Sequence, residues 1–263
     1  MTTILDEIIQ HKKQEVAAAV SRRPFSELQR QLADALPVRD FLTALKAADA
    51  PALIAEVKKA SPSAGIIRED FDPVNIARQY ADAGAQCLSV LTDEKYFRGH
   101  IDFLRQIRDE VPCPLMRKDF IIDRYQVAEA RIAGADCILL IAECLSATEL
   151  QDLYDYACEL GMRALIELYE TSNVDKVLNT GCPLVGVNNR DLRTFETSLD
   201  HTYHVRTLIP DNVLLVSESG IRDYEDICHL RDAGVGAVLV GESLMRQADI
   251  SQAVRTLMQG QSV

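Results

Sequence analysis

The chain has 263 residues, of which 48% are hydrophobic, and its formal net charge at pH 7 is -12. A chain of this size can bury one large core, and it matches the roughly 250 residues that an eight-stranded α/β barrel needs. The acidic excess argues against nucleic acid or an anionic membrane as partner, because neutralising phosphates requires a basic surface. The longest apolar runs are strand-sized, so we predict no membrane-spanning helix.

Cysteine and histidine usage argues against disulfides and metal sites. The seven cysteines are odd in number, contain no CxxC pair, and often stand in apolar runs, where a free cysteine behaves as a small core residue. The five histidines lack the H-x-H and H-E-x-x-H spacings that metals favour. The N-terminal stretch mixes charge with amphipathic spacing and is unlike a signal peptide. We therefore expect a cytoplasmic protein without a metal.

The first 50 residues indicate helices. Apolar positions recur at helical spacing from Ile4 to Val20, and a second helix is predicted from Phe25 to Ala35. So few residues cannot bury a core of their own. We therefore predict that residues 1–50 form an N-terminal helical cap on a single domain of residues 1–263.

From residue 51 onward, short aliphatic runs alternate with amphipathic stretches, which is typical of parallel βα units. A glycine that suits the left-handed end of a helix precedes several of these runs, at Gly84, Gly134, Gly161, Gly181 and Gly234. The predicted strands are Ala52–Glu56, Cys87–Leu91, Leu115–Lys118, Cys137–Ile141, Ala164–Leu168, Leu184–Val187, Val213–Ser217 and Ala237–Val240.

Eight βα units favour the α/β class and a (β/α)8 TIM barrel with an N-terminal helical extension. The alternative is an open, doubly wound sheet. Such a sheet more often stops at five or six strands and carries a Gly-x-Gly-x-x-Gly turn after its first strand. No such turn follows Ala52–Glu56.

Charged residues gather where the predicted strands end. In a barrel these ends converge on one face, where the chemistry takes place. A lone charge at a strand end is more often turned to solvent. Several on one face predict a catalytic pocket, because burying isolated charges is costly unless they pair or react. The three carboxylates are Glu56, Glu167 and Glu218, and the three cations are Lys58, Lys118 and Arg190.

The last two strands are followed by turns that suit a phosphate group. SESGIRD and LVGESLM place glycine and hydroxyl residues between strand and helix, where barrels commonly hold phosphate on backbone N–H groups. Ordinary βα turns are the alternative. Arg190 and Ser61 can add donors to the anion. We predict a phosphorylated small molecule as substrate, with its phosphate near Ser219, Gly220, Gly241, Glu242 and Ser243.

These strand ends resemble the indole-3-glycerol phosphate synthase family over nearly the whole chain. The matching stretches are EVKKASPSAG, SVLTDEKYFRGH, PLMRKDFIID, ALIELYE, GVNNRDL, VSESGI and VGESLM. The resemblance implies conversion of 1-(2-carboxyphenylamino)-1-deoxyribulose 5-phosphate to indole-3-glycerol phosphate, with loss of carbon dioxide and water and without cofactor or metal. We expect a monomer or weak homo-oligomer, and no second, fused isomerase barrel.

The resemblance also implies residue roles. Lys118 is the general acid that protonates the ribulose carbonyl, Glu167 transfers protons in later steps, and Glu56 forms a coupled pair with Lys58. Whether Lys58 or Glu167 serves dehydration stays open.

Further roles concern the walls of the site. Asn188 and Glu218 hold sugar hydroxyls or developing charge, and Phe97 lines the site of the anthranilate ring unless it only packs a loop. Glu143 and Cys144 depart from the apolar pattern usual after the fourth strand, which leaves the polarity of that rim open.

Two rival functions fit part of the pattern. The chain could be another phosphate-binding barrel, either the isomerase of the preceding step or an aldolase that uses Lys118 as a Schiff base. It could also be a barrel that binds ligands without turnover. The pKa of Lys118 bears on this choice, since clustered cations and burial lower it whereas neighbouring carboxylates raise it.

Overall fold

Eight parallel strands close into a barrel in the computed structural model, which describes residues 3–48, 51–191 and 193–260. Residues 1, 2, 49 and 50 of the predicted cap and residues 261–263 of the predicted domain lie outside the described residues. In chain order the barrel strands are β1 (Ala52–Val57), β2 (Cys87–Leu91), β3 (Leu115–Lys118), β4 (Cys137–Ile141), β5 (Arg163–Leu168), β6 (Leu184–Asn188), β7 (Leu214–Glu218) and β8 (Ala237–Val240).

The closure of the barrel confirms the predicted fold and excludes the open sheet. Each strand pairs in parallel with the next, and β1 also pairs with β8, where Ala52 lies opposite Ala237. All eight strands lie within about one residue of their predicted bounds. The strand ends chosen from the sequence therefore do converge on one face.

Helices surround the barrel and join its strands. They are α1 (Ile4–Arg22), α2 (Phe25–Gln31), α3 (Phe41–Lys46), α4 (Pro73–Asp82), α5 (Glu94–Phe97), α6 (Ile101–Arg108), α7 (Arg124–Ile132), α8 (Ala147–Glu159), α9 (Val174–Leu178), α10 (Asp200–Arg206), α11 (Tyr224–Asp232), α12 (Glu242–Met245) and α13 (Ile250–Gln259). The five glycines predicted to end helices all have positive φ. That prediction is confirmed.

Local sequence signals fix where several helices begin. Asp72 accepts hydrogen bonds from the backbone N–H groups of Val74 and Asn75 at the start of α4. Ser146 and Glu149 form a reciprocal capping box at the start of α8. Such caps satisfy N–H groups that have no partner within the helix. They set the helix starts, and hence the lengths of the loops at the barrel mouth.

The barrel strands are buried on both faces because helices cover the outside and side chains fill the inside. Every residue of β4 is buried, for example. Cys87, Cys113, Cys137 and Cys182 are buried free thiols, as predicted for core cysteines. No helix among the described residues has the length and apolar character needed to cross a membrane.

The N-terminal extension contacts both ends of the barrel. Near the carboxyl ends of the strands, Lys12 of α1 forms an ion pair with Asp119, the residue after β3. At the opposite end, the backbone N–H of Arg39 donates to Asp136, which precedes β4. The predicted second helix consists of α2 and a 3₁₀ turn at Leu32–Asp34.

The short helix α3 was not predicted. Phe41 and Leu45 on α3 are almost fully buried near the amino ends of the strands. Within the N-terminal extension, α1 therefore lies at the mouth of the barrel, whereas α3 packs at the other end.

Candidate active site

One pocket opens at the carboxyl ends of the strands, and every residue proposed from the sequence for the site lines it. These residues come from six of the eight strand ends and the loops that follow them, together with α5. They are Glu56, Lys58, Ser61, Phe97, Lys118, Glu167, Asn188, Arg190, Glu218, Ser219, Gly220, Gly241, Glu242 and Ser243.

Lys118 lies at the end of β3 with its ammonium among three carboxylates. Its Nζ donates to Oε1 of Glu56 at 3.3 Å and to Oε2 of Glu218 at 3.2 Å. Oε2 of Glu167 lies 3.8 Å from the same Nζ. The Lys118 side chain is 15% exposed, so it reaches the pocket while its partners are buried.

This environment decides the balance that the sequence left open for Lys118. Burial lowers its pKa, but Glu218, Glu56 and Glu167 together outweigh burial, and the pKa is raised above its usual value. Lys118 is therefore protonated at neutral pH. It can donate a hydrogen bond or a proton, but it cannot act as a free amine.

Glu56 is the carboxylate shared by both lysines of the pocket. Its Oε2 lies 2.5 Å from Nζ of Lys58, and its Oε1 accepts from Lys118. Burial raises the pKa of Glu56, but the two ammonium groups outweigh it and bring the pKa to about 2. Glu56 is therefore ionised throughout the neutral range, and it fixes the relative positions of the two cations.

Glu167 at β5 is in a different electrostatic state. Burial, together with repulsion from the carboxylate of Glu218, raises its pKa well above the usual range despite the attraction of Lys118. Nδ2 of Asn188 donates to Oε1 of Glu167 at 3.3 Å, and Oδ1 of Asn188 accepts from the backbone N–H of Arg190. Glu167 is thus held in place by Asn188 and is poised to exchange a proton.

The far end of the pocket carries donors suited to an anion. Nη1 of Arg190 donates to Oγ of Ser63 at 3.0 Å, and its Nη2 lies 3.5 Å from Oε2 of Glu242. Ser219 and Gly220 follow β7 with φ of 68° and 82°, so the chain makes a left-handed turn there. A non-glycine residue in this region is strained, and such strain clusters at functional sites.

Two residues proposed for phosphate binding already have protein partners for their side chains. The Glu242 carboxylate accepts from Arg246 at 2.8 Å as well as pairing with Arg190. Oγ of Ser243 donates to the backbone oxygen of Ile221 at 3.2 Å. At these two positions, only the backbone N–H groups are suited to an incoming phosphate.

Apolar residues form the opposite wall, and several of them were not predicted from the sequence. The rings of Phe97 and Phe120 lie 6.1 Å apart between centroids. Ile4, Leu5 and Ile8 of α1 also line the pocket. Their helical spacing is visible in the sequence, but nothing in it indicates that this face of α1 meets the barrel mouth.

Ser63 and Phe195 were also missed. Ser63 stands two residues after Ser61 and contacts Arg190. The Ser-Pro-Ser motif was therefore the right sequence signal, but the serine that contacts Arg190 is its second one. Phe195 is 42% exposed at the rim, with φ of 61°. Its loop position gave no sequence signal.

The polarity of the rim beside β4 is now explained. Oε1 of Glu143 accepts hydrogen bonds from the backbone N–H groups of Tyr169 and Glu170 and from the side chain of Asn173. Glu143 thus holds the loop after β5 and does not line the pocket. Its carboxylate satisfies partly buried donors and, after burial and the charge of Glu218, it also helps to raise the pKa of Glu167.

Comparison with known proteins gives concordant results. The sequence model of the family described as indole-3-glycerol phosphate synthase matches residues 5–257. A protein of that name from Rhodopirellula baltica is 53% identical over 97% of this chain and 99% of its own length. Another, from Acidithiobacillus ferrooxidans, is 50% identical over 98% of this chain and 99% of its own length.

Solved structures with low sequence identity share the fold. The 3-hexulose-6-phosphate synthase of Salmonella typhimurium superposes with a TM-score of 0.65 at 13% identity, covering 79% of this chain and 97% of that one. A mandelate oxidase mutant superposes with a TM-score of 0.59 at 14% identity, covering 79% of this chain and 71% of that one. At such identities the likeness shows the barrel architecture alone.

Proposed function

This chain belongs to the indole-3-glycerol phosphate synthase family, the decarboxylating lyases of tryptophan biosynthesis, and we propose that it closes the indole ring at its barrel mouth with Lys118 as the acid. One observation carries the assignment of roles. The ammonium of Lys118 lies within 3.8 Å of carboxylate oxygens on three different strands. This arrangement supports a reaction in which the ammonium stabilises an oxyanion that develops in the transition state.

The shape of the pocket supports a substrate with an aromatic end and an anionic end. Phe97, Phe120 and Ile8 line one side, where an anthranilate ring can stack and pack. Arg190 and the turn at Ser219 and Gly220 line the other side and offer donors to a phosphate. A carboxyphenylamino sugar phosphate of this kind would place its ribulose carbonyl between the two ends, beside Lys118.

In the first step, the ring carbon that bears the carboxylate attacks the ribulose carbonyl carbon. The carbonyl oxygen gains negative charge and takes a proton from Lys118. Such general acid catalysis is worth about 10²–10⁴-fold. The raised pKa keeps Lys118 protonated before reaction, and its carboxylate partners retain the resulting amine in place.

Two later steps complete the reaction. Carbon dioxide leaves, and its bonding electrons return to the ring, which becomes aromatic again. The new hydroxyl then takes a proton and leaves as water, while the neighbouring carbon, which was C1 of the deoxyribulose, loses a proton and a double bond forms between these two carbons. Glu167 and Lys58 are the two groups placed to handle these protons, since both line the pocket beside Glu56 and Lys118.

A direct experiment separates Lys58 from Glu167 in dehydration. Lys58→Ala and Glu167→Gln are mixed with substrate in single-turnover reactions, and quenched samples are analysed by mass spectrometry. The group that drives dehydration is the one whose loss lets the decarboxylated, still hydrated intermediate accumulate. If neither variant accumulates it, neither group has this role.

The aldolase alternative conflicts with the state of Lys118. A Schiff base requires a neutral amine, whereas the carboxylates of Glu56 and Glu218 hold this side chain as an ammonium. Borohydride reduction in the presence of substrate should therefore leave Lys118 unmodified. A trapped adduct on Lys118 would favour the aldolase.

The proposed function is tested by adding the carboxyphenylamino sugar phosphate to the purified chain and following indole fluorescence. We expect fluorescence to rise with turnover and carbon dioxide to be released in equal amount. Thermal stabilisation by substrate without any indole would instead identify a barrel that only binds. We further propose that the protein acts in the cytoplasm as a monomer or weak homo-oligomer, which cell fractionation and gel filtration can test.

A further inference from the structure

Two glycines lie directly against the carboxylates that hold Lys118. Gly186 stands in the middle of β6, and a Cβ atom added there would lie 2.2 Å from Oε1 of Glu218. Gly241 follows β8, and a Cβ atom added there would lie 2.3 Å from Oε2 of Glu56 and 2.9 Å from its Cβ. Real Cβ atoms are not found so close to other heavy atoms. A side chain at either position would therefore displace a carboxylate.

A left-handed backbone does not account for these glycines. Neither residue lies in the left-handed region that favours glycine. Gly186 pairs within the sheet, where it faces Val216 on β7 and Glu167 on β5 in the parallel ladders. Glycine in a strand interior weakens the strand and often marks the close approach of another group. Here the approaching group is a carboxylate of the site.

Glu218 is packed into this space between two polar neighbours and Gly186. Its Oε2 accepts from Lys118, its carboxylate also meets the carboxyl group of Glu167, and its buried Oε1 lies against Gly186. The attraction of Lys118 and the wall at Gly186 therefore fix the carboxylate between them. Moving the wall by one methyl group would move Glu218 relative to Lys118.

Glu56 is held in the corresponding way. Its Oε2 lies against Gly241 and pairs with Lys58, and its Oε1 accepts from Lys118. The two carboxylates thus contact the same ammonium, and each lies against a position that lacks a side chain. The arrangement spans β1, β3, β6, β7 and the residue after β8.

We propose that Gly186 and Gly241 are positioning residues of the reaction: the space left by their missing side chains sets Glu218 and Glu56 at contact distance from the ammonium of Lys118. For Gly241 this role is distinct from the phosphate contact inferred from the sequence. The inference rests on the proposed function of Lys118, but it also makes a claim about the free protein, which can be tested without turnover.

The decisive variant is Gly186→Ala. We expect kcat to fall about tenfold to hundredfold, the loss associated with small misplacements of catalytic groups, while KM stays within about threefold because the groups proposed to hold the phosphate, such as Arg190, are not among the nearest neighbours of Gly186. We also expect the pKa of Lys118, measured by NMR of labelled lysine side chains and assigned with Lys118→Ala, to fall as a carboxylate moves away. An unchanged kcat, or an unchanged pKa of Lys118, would overturn the proposal.

Gly236→Ala is the matched control. Gly236 stands just before β8, and a Cβ atom there would lie 2.8 Å from Cγ of Leu214, so a neighbour must shift here too, but that neighbour is an aliphatic side chain. We expect kcat and the pKa of Lys118 to stay at wild-type values in this variant. An equal loss of kcat in Gly236→Ala would mean that overpacking anywhere in the barrel has the same effect, and the proposal would fail.

Two double variants separate positioning from folding. The Glu218→Ala variant lacks the carboxylate that a methyl group at position 186 would displace. Adding Gly186→Ala to it should therefore lower kcat by less than about twofold relative to Glu218→Ala alone. In Gly186→Ala with Glu218→Asp, the shorter acid makes room for the methyl and should recover folding and part of kcat, even if Gly186→Ala alone does not fold. The proposal would be contradicted if the two losses of kcat were fully additive in Glu218→Ala with Gly186→Ala. It would also be contradicted if Gly186→Ala with Glu218→Asp recovered neither folding nor kcat.

The inference and the proposed function can fail separately. If the wild-type protein forms no indole, the proposed function fails, and the NMR measurement on the free protein still tests the positioning. If indole forms and the pKa of Lys118 is the same in Gly186→Ala as in the wild type, the positioning role fails alone.

Discussion

Nζ of Lys118 lies 3.3 Å from Oε1 of Glu56, although 62 positions separate the two residues in the chain. The contact joins β1 to β3 across the mouth of the barrel. It brings a cation and a carboxylate into a pocket that neither strand could form alone, and it gives Lys118 the environment on which the proposed chemistry depends.

Lys118→Ala should remove most turnover while leaving ligand binding largely intact. We expect kcat to fall by at least about 10²-fold, because general acid catalysis contributes about 10²–10⁴-fold. Affinity for a phosphorylated product analogue should change little, since we propose that Arg190 binds the other end. Rates are measured by indole fluorescence and affinity by calorimetry. The control is Lys59→Ala, because Lys59 lies outside the pocket and its Nζ is 5.8 Å from the centroid of the Phe71 ring. Unchanged turnover in Lys118→Ala would refute the role given to this residue.

Glu167→Gln should increase stability toward alkaline pH while reducing turnover. The pKa of Glu167 is raised in the folded protein, so the folded state keeps a proton that the unfolded state loses above about pH 4.5. Folding stability therefore falls as the pH rises above that value, and a neutral amide removes this penalty. Each tenfold change in the acid dissociation constant corresponds to about 1.4 kcal/mol.

The measurement for Glu167→Gln is urea unfolding at pH 4 and pH 8. We expect the variant and the wild type to agree within about 0.5 kcal/mol at pH 4 and the variant to be more stable at pH 8. A variant that loses stability equally at both pH values would show that Glu167 is an ordinary ionised carboxylate in the folded protein.

Arg190→Ala should mainly weaken ligand binding. Hydrogen bonds to charged groups contribute about 1.5–3 kcal/mol, so KM should rise about tenfold to hundredfold with kcat within about threefold. Inhibition by inorganic phosphate should weaken in parallel. Arg193→Ala on the same loop is the control, because Arg193 is 59% exposed and pairs with Glu170. A fall in kcat with KM unchanged would place Arg190 in the chemical steps.

Lys12→Met should destabilise the protein, because the ammonium of Lys12 links α1 to two buried carboxylates. Nζ of Lys12 lies 2.9 Å from both Asp93 and Asp119. Removing one partner from a buried ion pair costs about 3–5 kcal/mol when the remaining charge is left uncompensated. Asp93 loses its cation in this variant, whereas Asp119 keeps Arg117, so we expect a loss near the lower end of this range. Urea unfolding at pH 7 measures the loss. Lys13→Met, an exposed neighbour on α1, should change stability by about 0.5 kcal/mol or less. Equal effects of the two substitutions would contradict this account of Lys12.

Local patterns in the sequence were sufficient for the fold. Strands such as Cys137–Ile141 carry their own signal, since a short aliphatic run bounded by turn residues has few other structures open to it. Glycines such as Gly134 mark helix ends because the left-handed conformation excludes most other residues. The strand-end charges could then be assigned to one face because parallel strands in a barrel all point the same way.

What the sequence alone determined about this protein is therefore the barrel and the charged side chains at its strand ends, because both follow from periodicity and strand direction. Only the tertiary structure decided which groups touch. It placed α1 against the pocket, Ser63 against Arg190, and Gly186 against Glu218. The raised pKa of Glu167 and the protonated state of Lys118 depend in the same way on distances between residues far apart in the chain. The physical reason is that Coulombic interactions, burial and steric exclusion vary steeply over a few ångströms, a scale that the order of residues along the chain does not specify.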